Sequence, residues 1–244
     1  MVLGLAAAAG LHFPFNPDRW SYWLAGPVFG ACILASVLVG ELRVPRPDGA
    51  MRTALLMPRR VGDYLPRRYG PLLGALVLAL TALLTVAAIV TSSHTTKTGG
   101  SLRFCSNILL SMPMWPNLPT AVVMFVSVVG GAGACLLVVR EIATRPVLSA
   151  EPAQDAVDNA LRTASAEAVT LAWGCLVASS LLSSAVVTAY LLDNLSALTM
   201  SSCTSPWLMP SKVAAYTLVA GSSTVLAYLF VRLRRLPLPR RAVA

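Results

Sequence analysis

Cys105 and Cys203 stand in two polar stretches that each precede a Trp, a Pro and a long apolar run, and paired thiols in such places do one of two kinds of chemistry. In an oxidising compartment they close a disulfide, here tying two loops about a hundred residues apart in sequence. Alternatively they join Met112, Met114, Met200, Met209 and His94 as soft ligands suited to Cu(I). The spacing of these residues matches no metal motif, and methionine beside Trp and Pro at the mouth of a span serves as an interfacial anchor. The expectation is therefore a Cys105–Cys203 disulfide, with no metal and no cofactor. Cys32, Cys135 and Cys175 fall in apolar runs and read as small packing residues.

Other reactive constellations are missing. The chain has no HExxH, no GxSxG, no Walker A loop and no pair of intramembrane aspartates, and its histidines are His12 and His94. Five stretches carry no charged side chain: Ser21 to Gly40, Pro71 to Val90, Thr120 to Val139, Ala168 to Leu192 and Val213 to Val231. Each is long enough, at 1.5 Å per helical residue, to cross a hydrocarbon core of about 30 Å. Lipid admits only backbones that satisfy their own hydrogen bonds, so these stretches must be helices. Proton-coupled carriers place ionisable groups within their spans. With none here, a non-enzymatic protein is expected, and any use of ATP requires a separate subunit.

Composition agrees: 56% of the 244 residues are hydrophobic and 12% charged, about half the charge of an ordinary soluble domain. The net charge of +9 reflects topology. Seven arginines fall in the loop from Glu41 to Gly70, three basic residues between Arg140 and Glu167, and five in the tail from Arg232. The opposite connections hold Arg19, Lys97, Arg103 and Lys212. Basic short loops stay in the cytoplasm, which places the C-terminus inside and the Cys105 and Cys203 loops outside a bacterial plasma membrane. The partner expected for Arg52, Arg59, Arg60, Arg67 and Arg68 is an anionic inner leaflet. The loop is poor in the interleaved aromatics that stack on bases, which argues against nucleic acid.

The expected fold is all-α, a polytopic bundle of five spans, or six if the short apolar segment Met1 to Phe13 also crosses. The spans group as tandem two-helix hairpins within a single transmembrane domain, 1–244: an incomplete unit at 1–47, a second at 70–146 and a third at 152–237. Trp115 and Trp207 each precede an arginine, Arg140 and Arg232, by twenty-five residues, with Pro119 and Pro210 at the start of the returning span. An outer Trp, a Pro at a helix start and an inner Arg can also recur without duplication. Small residues at Gly26 and Gly30, at Gly70 and Gly74, and at Gly130, Gly131 and Gly133 predict close helix approaches, since lipid supplies no hydrophobic drive between helices. Ser179, Ser180, Ser183, Ser184 and Thr188, with Ser222, Ser223 and Thr224, either line a solute path or bond within and between helices, and the second is expected. The connector from Glu151 to Glu167, with Pro152 and then Asp155 and Asp158, predicts that the fourth span begins as a helix outside the bilayer.

The span plan, the alanine and arginine usage and the loop RRVGDYLPRR, Arg59 to Arg68, resemble the uncharacterised polytopic membrane proteins of actinobacteria. That resemblance implies a plasma-membrane location and carries no activity or site. The function expected is that of a scaffold or accessory subunit of a membrane complex, with a membrane or cytosolic protein partner. The alternatives are the membrane-spanning subunit of a transporter driven by a separate ATPase, and an envelope sensor using the external Cys and Met loops.

Overall fold

The computed structural model describes residues 21–42, 67–94, 101–105, 108–111, 118–144, 152–199 and 208–236. Five helices are long and apolar enough to cross a membrane. They are α1 (Ser21–Leu42), α2 (Gly70–His94, entered through a 3-10 turn at Arg67–Tyr69), α3 (Leu118–Thr144), α4 (Pro152–Thr199) and α5 (Leu208–Arg235). The chain is a multi-pass membrane helical bundle, as the five charge-free runs predict. Proline sets several starts: Pro71, Pro119, Pro152 and Pro210 each fall within the first three residues of their helix. There the missing N–H would have had no helical acceptor. The segment Met1 to Phe13 lies outside the described residues.

An addition to the expected fold is a small antiparallel hairpin, β1 (Ser101–Cys105) and β2 (Ile108–Ser111), between α2 and α3. Its register is irregular between Arg103 and Cys105.

The fourth helix organises the bundle. It has 48 residues, about 72 Å at 1.5 Å per residue, against a hydrocarbon core of about 30 Å. Two thirds (67%) of its span is buried, while no other span exceeds 33%. Residues two apart on a helix point about 200° from each other, and Gly174 and Leu176 show what α4 meets on its opposite sides. Gly174 faces Leu73 of α2 and Leu229 of α5, whereas Leu176 packs against Gly30 of α1 and Gly131 of α3. Four helices thus surround one. The main core runs along this axis through Trp23, Leu73, Met124, Leu171, Leu176 and Leu229. A second cluster of Cys135, Val139, Ala143, Ala166 and Val169 lies nearer the arginine-bearing end.

Helix α5 rests on α4 along a seam at Ala215, Ser222 and Leu229, seven residues apart. Helices α2 and α3 touch each other only slightly, and each packs on α4.

Candidate functional site

The polar groups that matter lie at the two ends of α4 and in a strip between them. At the arginine end, the Arg68 guanidinium donates to the Glu167 carboxylate at 2.5 Å, and the buried Tyr69 hydroxyl donates to the same oxygen at 2.8 Å. Arg68 also stacks over the Tyr69 ring, 4.9 Å from its centre. Arg232 stands beside Tyr228 and within electrostatic reach of Tyr69 and Glu167. The turn before α2 and the helix α4 therefore meet at one carboxylate, and α5 brings Arg232 to the same end of the bundle.

At the other end Asp193 accepts from the Tyr216 hydroxyl and pairs with Lys212 at 2.6 Å, while Lys212 also donates to Ser196 at 3.0 Å. Glu167 and Asp193 are twenty-six residues apart on one continuous helix, which is about 39 Å. That span matches a hydrocarbon core plus part of each headgroup layer. Lys212 and Arg232 bracket an uncharged stretch of α5 only nineteen residues long, 213–231, about 28 Å. The Lys212 side chain reaches Asp193 at one level, and Arg232 closes the stretch at the other.

Between the levels, hydroxyls are consumed by packing. Ser180, Ser184 and Thr188 donate to carbonyls four residues back on α4. Ser179 reaches across to the Gly26 carbonyl at 2.8 Å. Ser183 donates to the Trp23 carbonyl at 3.4 Å. This last bond has a cause in α1. Pro27 has no N–H to give the carbonyl four residues before it, which is Trp23, and in lipid a hydroxyl from the neighbouring helix takes that place. The Trp173 indole N–H donates to the Val128 carbonyl of α3 at 3.0 Å. Ser222, Ser223 and Thr224 bond to carbonyls of α5 itself. Ser179, Ser180 and Ser184 are buried, so this strip of α4 joins helices and does not border water.

The glycines divide. A Cβ on Gly26 would stand 2.1 Å from the Ser179 carbonyl oxygen, and one on Gly30 2.4 Å from the Leu176 Cα. Gly131 sits where α1, α3 and α4 meet, its Cβ position 2.7 Å from Leu176 and 3.3 Å from Leu34. Gly70, Gly74, Gly130 and Gly133 have no atom within 4 Å of that position. The close approach expected of these four is not made within the chain, because they fall on the outward faces of α2 and α3.

Of the expected lipid-contacting arginines, Arg67 and Arg68 lie in the turn before α2, and Arg68 is already engaged by Glu167. Arg52, Arg59 and Arg60 lie outside the described residues, as does Cys203. Cys105 ends β1, so the proposed bridge also falls outside what is described. Among the described residues no three His, Cys, Asp or Glu side chains gather as a metal site.

Sequence reasoning missed Arg162 and Gly174. Arg162 is buried and donates to the Ile142 carbonyl at 3.5 Å, near the C-terminus of α3, where helix carbonyls lack intrahelical donors. Gly174 permits Leu73 and Leu229 to close on α4. Its signal was composition: the stretch AWGCLVASS is rich in small residues all round the helix. No protein family, curated protein or solved structure matches the chain.

Proposed function

We propose that the protein is a non-enzymatic component of a membrane complex, a scaffold or accessory subunit built on α4. The observation that supports this reading is the length and setting of that helix. Its middle is enclosed by four others, and the polar groups there bond within α4 or join it to its neighbours. Its first ten residues, Pro152–Leu161, extend past the level where Arg162 meets the end of α3. Ten helical residues project about 15 Å. The projection carries Asp155 and Asp158 on a side of the bundle otherwise rich in arginine, and Leu161 near its base is 39% exposed. A helical segment bearing two acids offers a handle to a basic or amphipathic partner segment.

The test places a photo-crosslinking residue at Asp155, Asp158 or Leu161 in native membranes. A discrete crosslinked partner, lost when the label moves to the lipid-facing Leu78, is the expected result. A co-purifying ATPase would favour the transporter-subunit reading, for which the same projection would act as a coupler. Recovery of the uncrosslinked chain alone from all three positions would overturn both readings.

A further inference from the structure

We propose that Arg68, paired with Glu167, and Arg232 on the adjoining end of α5 bind the phosphate of an anionic phospholipid. The argument is one of charge at a single level of the bundle. Arg68 pairs with Glu167, and the turn of α5 that carries Arg232 follows Leu229, which packs on α4 at Gly174, seven residues beyond Glu167. The first turn of α2 contains no acidic residue, so its N-terminal dipole adds positive charge there. The last turn of α5 contains Arg232, Arg234 and Arg235. A helix end is worth only about half an elementary charge of either sign. The C-terminal end of α5 therefore cannot neutralise three arginines, and it offsets the N-terminal end of α2. Arg68, Arg232 and Glu167 with those two helix ends leave about one unit of positive charge, to which Arg67, Arg234 and Arg235 add. A phosphodiester supplies one unit of negative charge, with oxygens that arginine grips bidentately.

Position agrees with charge. The Arg68–Glu167 pair lies about 39 Å along α4 from the Asp193–Lys212 pair, which places each pair at a headgroup layer. Arg68 remains 55% exposed despite its bond to Glu167, so its remaining N–H donors can reach a ligand. Beside the charges, Tyr228 and Val231 on the last turns of α5 are exposed and give apolar flanks on which acyl chains can lie.

Native mass spectrometry of the detergent-solubilised full chain tests this. The wild type is expected to retain one phosphatidylglycerol at concentrations where phosphatidylcholine is lost. Arg68→Gln and Arg232→Gln should each weaken retention about fivefold, and the pair multiplicatively. Arg140→Gln, on α3 across the bundle, should leave it within about twofold. Glu167→Gln should leave affinity unchanged or raise it, because it removes the competing carboxylate from Arg68. That variant keeps the proposal falsifiable even if Arg68→Gln does not fold. Millimolar glycerol 3-phosphate displacing the lipid would assign recognition to the phosphate alone, and failure to displace would assign it to phosphate with its chains. Equal weakening by Arg140→Gln would reveal diffuse attraction only, and loss of binding in Glu167→Gln would make the cluster a structural clamp. Either result overturns the site.

Discussion

Replacing Gly26 by alanine tests the packing of α1 on α4 with a single methyl group. That methyl would meet the Ser179 carbonyl oxygen at 2.1 Å and the Ser183 hydroxyl at 2.4 Å, where ordinary contact begins at 3.4 Å. The hydroxyl can rotate away, but the carbonyl is backbone inside a helix. To restore contact the two helices must part locally by about 1.3 Å, the difference between those distances. At that separation the Ser179 bond to Gly26 and the Ser183 bond to Trp23, now 2.8 and 3.4 Å, are both lost. Overpacking of this kind costs about 1–3 kcal/mol, and each interhelical bond about 0.6 kcal/mol. Alanine's advantage over glycine inside a helix returns about 0.5–1 kcal/mol. The net expectation is a loss of about 1–4 kcal/mol. Gly133→Ala is the matched control, because nothing lies within 4 Å of its Cβ position, and it should be neutral or slightly stabilising. Unfolding of both variants in mixed micelles with rising SDS, followed by helical circular dichroism, gives the comparison. Equal midpoints for the two variants would refute the close approach of α1 and α4.

Trp173→Phe keeps an aromatic but smaller ring and removes the donor to Val128, and should cost at least about 1 kcal/mol in the same assay. Arg162→Ala exposes the end of α3 and should cost about 1–3 kcal/mol, with faster hydrogen exchange confined to the last turns before Thr144. Single cysteines at Arg67 and Lys212 in a background lacking the native cysteines should label from opposite sides of intact cells. Reaction of a cysteine at Arg67 with an impermeant maleimide would reverse the assigned topology. The wild-type chain, denatured without reductant, should react with maleimide at neither Cys105 nor Cys203, and two reactive thiols would dismiss the bridge.

The positions of the helices were legible because lipid enforces a simple condition. A run such as Val213 to Val231 without charge must be helical, and α5 extends it by only a few residues at each end. The centre of the bundle was less legible. The α4 span is no more apolar than that of α1, yet a far larger share of it is buried. Hydropathy measures transfer from water, and a lipid-facing helix and a protein-facing helix score alike. What separates them is side-chain size, visible in the Gly, Ala, Ser and Cys residues around Gly174. Glycine spacing told of potential contact without saying which face would be used. Gly26 and Gly30 meet a helix, whereas Gly70 and Gly74, at the same spacing, do not. The hairpin at Ser101–Ser111 escaped notice because its two strands are of four and five residues and lie in a connection read as a loop. The pairing of Arg68 with Glu167 joins residues 99 positions apart, a distance at which sequence gives no warning.

The enclosed position of α4 has a consequence for how the protein is made. The helix around which the other four assemble is the fourth of the five described helices to emerge from the ribosome. At about 5–20 residues per second, the interval between the synthesis of Ser21 and that of Thr199 is roughly ten to thirty-five seconds. Throughout that time α1, α2 and α3 wait in the bilayer with Gly26, Gly30 and Gly131 unfilled by their proper neighbour. The early chain must be tolerated by lipid or shielded by the insertion machinery until the hub arrives. A nascent chain arrested before Pro152 should therefore be inserted but unassembled, and an early target for membrane proteolysis.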